Sequence, residues 1–467
     1  MVITLIKSIC LFSMLVLVIN GCCRVDTDAQ PIFNQIHDDV AHLTNQDVYW
    51  DSSLDDCLRA VSITDLLKED LNENTAVQIA LLNNRDLQAT YESLGIAKAQ
   101  LAQSGLLKNP VFLFSYRFST VSSVTDLIDM SLYQNFLELL LIPLKKRLAR
   151  AELEATKAMV TNQILEVIAQ TKIAFYKSLS AKQIWDLKID VLLANELSFI
   201  AAQKLYEVGN ITELEVAMER SLYEQAKLDV ASAEITFLEA REKLNVSMGL
   251  WGLQIDWKLA SHLFLPDSSE EYDTIENDAI ASSIDLKIAF NEIKATAAGF
   301  GVDTTRLIFP QMDIGVSSER DESVWYVGPA FNLAIPLFDF GQANSAKAKA
   351  RIMQQWNQYT ALAVEIRSLA RTSRFTLLNA LRQSRYLEKV IVPLAEQITN
   401  LTLLQNNAMQ LGVFHLLSAK NRELEKKIQH VQLLQDYWVS YVTLQTLVFG
   451  HAVGKHPFQV TVRRYND

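Results

Sequence analysis

The chain has 467 residues, 49% of them hydrophobic and 21% charged, with 14 glycines and 9 prolines. Gly and Pro together make up about 5% of it, less than half the usual share, so turns are few and helices long; collagen-like, disordered and disulfide-dense classes are excluded. The net charge of −11 gives no electrostatic ground for nucleic-acid binding. Mean hydropathy is +0.09, high for a chain with one stretch resembling a membrane helix.

Residues 1–21 read as an export signal: Lys7, an apolar run from Ile9 to Ile19, then Asn20 and Gly21. The run is short for a spanning helix of about 20 residues. Ile19-Asn20-Gly21-Cys22 resembles a bacterial lipobox, in which the cysteine is acylated and becomes the first residue. Asn is unusual at its middle position, and an ordinary signal peptide containing cysteines is the alternative. With the lipobox, a covalent lipid is expected on Cys22 and no other cofactor. Cys23 rather than Asp follows, which makes the outer membrane the default destination. Cys10 leaves with the signal; Cys23 and Cys57 remain and are able to pair in an oxidising compartment, although sequence does not bring them together. Residues 22–72 form an N-terminal arm.

Beyond the arm the chain repeats itself. Asp86-Leu87 precedes Pro110 as Asp285-Leu286 precedes Pro310, and Ile142-Pro143-Leu144 recurs as Ile335-Pro336-Leu337. Tyr206-Glu207-Val208-Gly209 matches Met409-Gln410-Leu411-Gly412, with Gly249 and Gly450 following at similar distances. The repeats span 73–249 and 276–450, joined by a segment at 250–275 with Trp251, Trp257 and Pro266, and followed by a tail at 451–467. Each reads helix, strand, strand, long helix, turn, helix. Helices are expected at 73–107, 144–207 and 211–249, then at 276–306, 338–410 (bent at Pro393) and 414–449. A helix over 144–207 would be about 95 Å long, too long for a compact domain of this size. In each half the two shorter helices, stacked end to end, match the long one, which predicts coiled-coil pairing.

Strands are expected at 111–118, 130–141, 311–318 and 324–335. In the first, Phe112, Phe114, Tyr116 and Phe118 share one face; in the last, Trp325, Val327, Phe331, Leu333 and Ile335 do. The second is less regular, being apolar on both faces near Leu139–Ile142. Period-two segments with aromatic faces fit a transmembrane β-barrel wall, or a soluble antiparallel sheet with one buried face. Four strands cannot close a membrane barrel, because lipid tolerates no open edge. Several chains must then contribute.

With duplication, strand pairs and long helices in this order, the sequence resembles the TolC-like family of outer-membrane efflux factors over about 73–450. Asn109-Pro110 and Phe309-Pro310 open the upward strands, and Val327-Gly328-Pro329 through Ile335-Pro336-Leu337-Phe338-Asp339-Phe340-Gly341 carry the most recognisable segment. Ala240-Arg241-Glu242-Lys243-Leu244 before Gly249 also fits. The resemblance implies a mainly α protein with β-barrel strands: a homotrimer sharing a 12-stranded barrel in outer-membrane lipid, above a periplasmic helical tunnel. It implies a passive exit duct for efflux or type I secretion, serving an inner-membrane pump through a periplasmic adaptor. The barrel's outer face would carry Phe112, Phe114, Tyr116, Phe118, Trp325 and Phe331. Barrel-to-helix junctions fall at Pro143, Pro336, Asp339 and Gly341. Adaptor hairpins would dock at Val208, Gly209 and Asn210 and at Leu411, Gly412 and Val413; an αα-turn needing a glycine with positive φ explains the same glycines.

The chain departs from the family where acidic residues often ring the closed end. Between Pro393 and Gly412 the sole carboxylate is Glu396, among amides including Gln405, Asn406, Asn407 and Gln410. A ring of amides could replace the acidic one there, so a charged and an amide constriction both stay open; the acidic balance of the chain modestly favours cationic or neutral solutes. The seven histidines show no metal-ligand spacing, and no nucleophile elbow, Walker loop or dinucleotide fingerprint occurs. No catalytic residue is assigned. The alternative from another class is a lipid-anchored periplasmic coiled-coil scaffold or adaptor without a channel.

Overall fold

In the first repeat helical spacing takes over directly where strand alternation ends, at Asn135–Phe136. The computed structural model describes residues 25–50, 62–120, 125–259, 262–266, 274–308, 312–321, 324–335 and 337–454. After a helix α1 (Gln30–Thr44), the first repeat contains α2 (Glu73–Asn83), α3 (Arg85–Gln103), β1 (Val111–Arg117), β2 (Leu127–Asn135), α4 (Phe136–Glu207) and α5 (Glu213–Met248). The second contains α6 (Ile275–Ser282), α7 (Ile284–Ile308), β3 (Met312–Asp321), β4 (Val324–Leu333), α8 (Gln342–Tyr386), α9 (Val392–Asn407) and α10 (Val413–Val448). Two units divide the chain: one holds 1–31, 94–153 and 295–348, and the other holds 32–93, 154–294 and 349–467.

The first unit is built on one antiparallel sheet in the order β1-β2-β3-β4. Each repeat supplies a hairpin, and the hairpins join through β2 and β3, with Leu132 opposite Val316 and Tyr133 opposite Gly315. A side chain at Gly315 would collide with the Leu132 carbonyl oxygen and approach Tyr133 Cδ1 to 2.7 Å, so this seam between the repeats requires a glycine. Below it Leu137 and Leu141 pack with Val302, backed by Leu144 and Met312.

Strand β2 corrects the expected 130–141: it starts at Leu127 and gives way to helix at Phe136. The Glu138 N–H donates to Asn135 Oδ1 at 3.0 Å, capping α4. Leu137 and Leu141, four apart, are buried together, so the two-faced apolar stretch was one side of a helix. Pro143 consequently lies inside α4, where it has no N–H to return to the preceding turn.

In the second unit the expected single helices at 73–107 and 276–306 are each broken, at Asn84 and Ser283, both with ψ of 112°. The breaks are clasped by the ends of α5 and α10. Asn83 Nδ2 donates to the Met248 and Gly249 carbonyls at 3.1 and 2.6 Å, and Asn84 Nδ2 to Ser247 O at 3.0 Å. In the second repeat the Ile284 N–H donates to Gly450 O at 2.9 Å. A Cβ on Gly249 would stand 2.8 Å from Asn83 O, and one on Gly450 would strike Ser282 O. Next to the second clasp, His451 is buried with its Nε2 2.5 Å from Glu166 Oε2. Asp285 there accepts from Asn162 Nδ2 at 2.9 Å, and burial pushes its carboxyl up. Burial acts on Glu166 likewise, but its bonds with His451 and Gln170 outweigh it and hold that carboxyl down.

The core beside this clasp gathers Ile275 and Leu286 with Ile366, Ala370 and Leu377 of α8 and Tyr437, Leu444 and Leu447 of α10. The bend expected at Pro393 is a π-helical turn at Leu387–Ile391 just before it. The Val392 N–H reaches back to Leu387 O, and Pro393 opens α9 at a position where its missing N–H is harmless.

Gly249→Val and Gly450→Val are expected to destabilise by more than about 2 kcal/mol each in denaturant unfolding, through collision with a carbonyl that cannot move aside. Gly95→Ala, within α3 and with open space around it, is expected to stabilise by about 0.5–1 kcal/mol.

Candidate functional site

Two surfaces carry the residues singled out by sequence: the sheet and the turns joining α4 to α5 and α9 to α10. On the sheet, side chains directly opposite each other share a face. Phe112 stands opposite Leu132, which stands opposite Val316 and then Pro329. Tyr116 leads through Ile128 and Arg320 to Trp325, and Phe331 stands opposite Ile314. The register therefore gathers Phe112, Phe114, Tyr116, Trp325 and Phe331 on one apolar face whose sole charge is Arg320. Phe118 lies just past β1, edge-on to Tyr116 with ring centroids 4.8 Å apart.

The opposite face is mixed and holds the rest of the sheet's charge, with Val111, Leu113, Tyr133, Tyr326 and Ala330 among its polar side chains. It carries Ser115, Asp129 and Glu319 in one row, Ser131 and Ser317 in the next, and Asn135, Asp313 and Asn332 in another. Arg117 pairs with Asp129, and Asn135 Nδ2 donates to Asp313 Oδ1 at 2.8 Å. The outer edges of β1 and β4 have no partner strand among the described residues.

The two junctions below the sheet differ. In the first repeat β2 passes directly into α4. In the second, a turn intervenes: the Gly341 N–H donates to Asp339 Oδ1 at 2.8 Å and the Phe340 N–H to Gln342 Oε1 at 3.0 Å. Pro336 and Cys22 lie outside the described residues, as do Phe309 and Pro310.

At the first helical turn the Gly209 N–H donates to Tyr206 O and the Asn210 N–H to Leu205 O, both at 2.8 Å, with Gly209 left-handed at φ +79°. This double bond closes the orphan carbonyls of α4. Thr212 then caps α5: the Glu215 N–H donates to its Oγ1 at 3.3 Å and its own N–H to Glu215 Oε2 at 2.7 Å. Val208 and Asn210 are exposed beside Gly209.

The second turn repeats these bonds at Met409 and Gln410, whose N–H groups donate to Asn406 and Gln405 at 2.9 Å. Here the left-handed residue is Met409, with φ +59° and 95% exposure. The matching of Gly209 with Gly412 is thereby corrected. Gly209 corresponds to Met409, and Gly412 corresponds to the cap Thr212, with an extended backbone at φ −73° and ψ 159°. Gly412 needs no glycine, because its extended backbone suits any residue. Leu411 accepts from Asn406 Nδ2 at 2.9 Å and Val413 opens α10.

Glu396, the lone carboxylate expected near this end, is taken up by Lys427 Nζ at 2.9 Å. Lys427 also holds Glu423, as does Lys420 at 2.7 Å. Burial alone would raise the Glu423 carboxyl, but the two ammonium groups outweigh it and pull it down to about 2. Sequence gave no sign of this anchor beyond the spacing Lys420-x-x-Glu423-x-x-x-Lys427, three and four residues apart on one helix face.

No protein-family model and no curated protein matches the sequence. Solved structures do match in three dimensions. The Campylobacter jejuni CmeC outer membrane channel superposes with a TM-score of 0.65 at 17% identity, covering 84% of this chain and 89% of that one. The open-state Neisseria gonorrhoeae MtrE outer membrane channel gives 0.66 at 17%, covering 82% and 90%. CusC, solved in a study of its folding and transmembrane channel formation, gives 0.67 at 16%, covering 82% and 92%. At such identities the likeness establishes the fold. The chain has the TolC-like fold of the outer-membrane efflux channels.

Two outcomes are expected in this region. Gly209→Val should destabilise by about 1–2 kcal/mol while Gly412→Val is tolerated and Met409→Gly stabilises by about 1 kcal/mol, as read by thermal unfolding. Glu423 has its carboxyl held below the unfolded value of about 4.5, so its contribution is full above that pH and is lost as pH falls toward about 2. Glu423→Gln should flatten the wild-type loss of stability across that window in acid titration of unfolding.

Proposed function

We propose that the chain is the protomer of an outer-membrane efflux channel, a passive exit duct rather than an enzyme. Three copies would join their sheets edge to edge into one 12-stranded barrel, each supplying four strands. The helices would extend into the periplasm, where the two turns meet a periplasmic adaptor linked to an inner-membrane pump. Cys22 would carry a lipid as a second anchor, and the signal ahead of it would be removed.

The observation that carries this reading is the sheet. It has one apolar face with a single charge, a second face that carries all its other charges, and two edges unpartnered among the described residues, an arrangement suited to lipid outside, water inside and further copies at either side. No helix among the described residues is long and apolar enough to cross a membrane. The fold shared with CmeC, MtrE and CusC supports the channel reading.

Face assignment is directly testable. Phe114→Arg and Phe331→Arg place cations on the apolar face, where each costs about 2–4 kcal/mol at the bilayer midplane. Together they should abolish the heat-modifiable oligomer in outer-membrane fractions, whereas Ser131→Arg, on the opposite face, should leave it intact. Release of the wild-type protein by a carbonate wash, with no detergent-stable oligomer, would sink the channel and favour the lipid-anchored scaffold.

A further inference from the structure

The helical part of the sheet-bearing unit concentrates positive charge in a chain whose net charge is −11. Within α4, Lys145, Lys146, Arg147 and Arg150 occur with no acidic residue between Glu138 and Glu152. Glu138 is buried and already holds three cations: Lys145, Lys108 at 3.2 Å and Arg306 at 3.3 Å. The remaining side chains find no such partner. Lys146, Arg147, Arg150 and, on α8, Lys347 are all exposed, and none makes an ion pair among the described residues.

Their placement along the helices is regular. Lys146 lies about 15 Å and Arg150 about 21 Å beyond the start of α4, and Lys347 about 8 Å beyond the start of α8. Between them and the sheet stand exposed apolar side chains: Leu139 and Leu140 on α4, and Leu337, Phe338 and Phe340 in the second junction. Phe338 is 93% exposed. Both repeats thus place an apolar collar next to the sheet and cations one to three helical turns further on.

We propose that these four side chains form a cationic girdle that binds the phosphodiester headgroups of an anionic phospholipid leaflet, the leaflet on the helix side of the sheet. The inference rests on the channel reading, since the girdle needs the sheet in the bilayer. Its support is charge complementarity and continuity with the apolar sheet face. Four cations are left without counter-charges at the depth where headgroups follow an apolar zone, the arrangement that draws juxtamembrane basic segments to acidic lipid. Lys146 is already guided: its Cε runs over the backbone of Gly105, within 2.5 Å of where a Cβ would stand. Phosphate oxygens there would accept from Lys146, Arg147, Arg150 and Lys347, the arginines in two-pronged fashion.

The test uses the full-length protein reconstituted in phosphatidylcholine vesicles, with spin-labelled phosphatidylglycerol or phosphatidylcholine as the probe. Wild type should prefer the anionic label by about fivefold or more, the effect of one cation near an acidic surface. The preference should fall toward unity at about 0.5 M salt and in the variant Lys146→Gln/Arg147→Gln/Arg150→Gln/Lys347→Gln. Lys146→Arg/Lys347→Arg should retain it, which guards against a fourfold variant that merely misfolds. An inserted wild type without preference, or a fourfold variant with undiminished preference, overturns the girdle while leaving the channel standing. A fourfold variant that inserts but loses its oligomer, from a wild type without headgroup preference, assigns the cations to contacts between copies and also overturns it. A wild type that fails to enter either vesicle removes the channel reading and the girdle together.

Discussion

Backbone N–H and C=O groups cannot be left bare in hydrocarbon, and an open sheet edge leaves a row of them. In water the four-stranded sheet would be an aggregation hazard; in a bilayer it is incomplete. Its unpartnered edges belong to different repeats, β1 to the first and β4 to the second. In the proposed channel, duplication would give each chain two different ends for head-to-tail joining, an arrangement that closes a ring when the rotation between copies suits. The seam at Gly315 matters for the same reason. It fuses the two hairpins into one sheet, so in the proposed channel a chain would contribute four contiguous strands and not two separate pairs.

Much of this was legible in the sequence because it rests on short-range periodicity. Alternation over Phe112, Phe114 and Tyr116 placed one face correctly, and the register carried that face across to Trp325 and Phe331. The scarcity of Gly and Pro foretold long helices, and α4 runs for 72 residues. What escaped were places where tertiary contacts decide between local options. Residues 139–142 are apolar on both faces of a strand, and the packing of Leu137 and Leu141 on Val302 selects helix instead. The breaks at Asn84 and Ser283 depend on carbonyls more than 160 residues away, supplied by the ends of α5 and α10.

The helical turns show a different failure of reading. Gly412 has an extended backbone, and the position that needs positive φ is held by Met409. The strain of a side chain in the left-handed region is small enough for the hydrogen bonds of the turn to override it. The exposed methionine then presents a flexible apolar side chain, where its counterpart Gly209 presents bare backbone. The two turns are alike in bonding and unlike in chemistry.

The π-helical turn at Leu387–Ile391 has a further effect on the helix that follows. One extra residue in a turn rotates everything beyond it by about 100° about the helix axis. Up to Leu387 the buried stripe of α8 runs through Ile366, Ala370, Leu377 and Ala380. Beyond the turn, α9 contains no buried residue. Leu394, Ile398 and Leu401 still recur at helical spacing, yet each is half exposed. A single widened turn thus marks where the buried stripe of the helix ends and a half-exposed hydrophobic row begins.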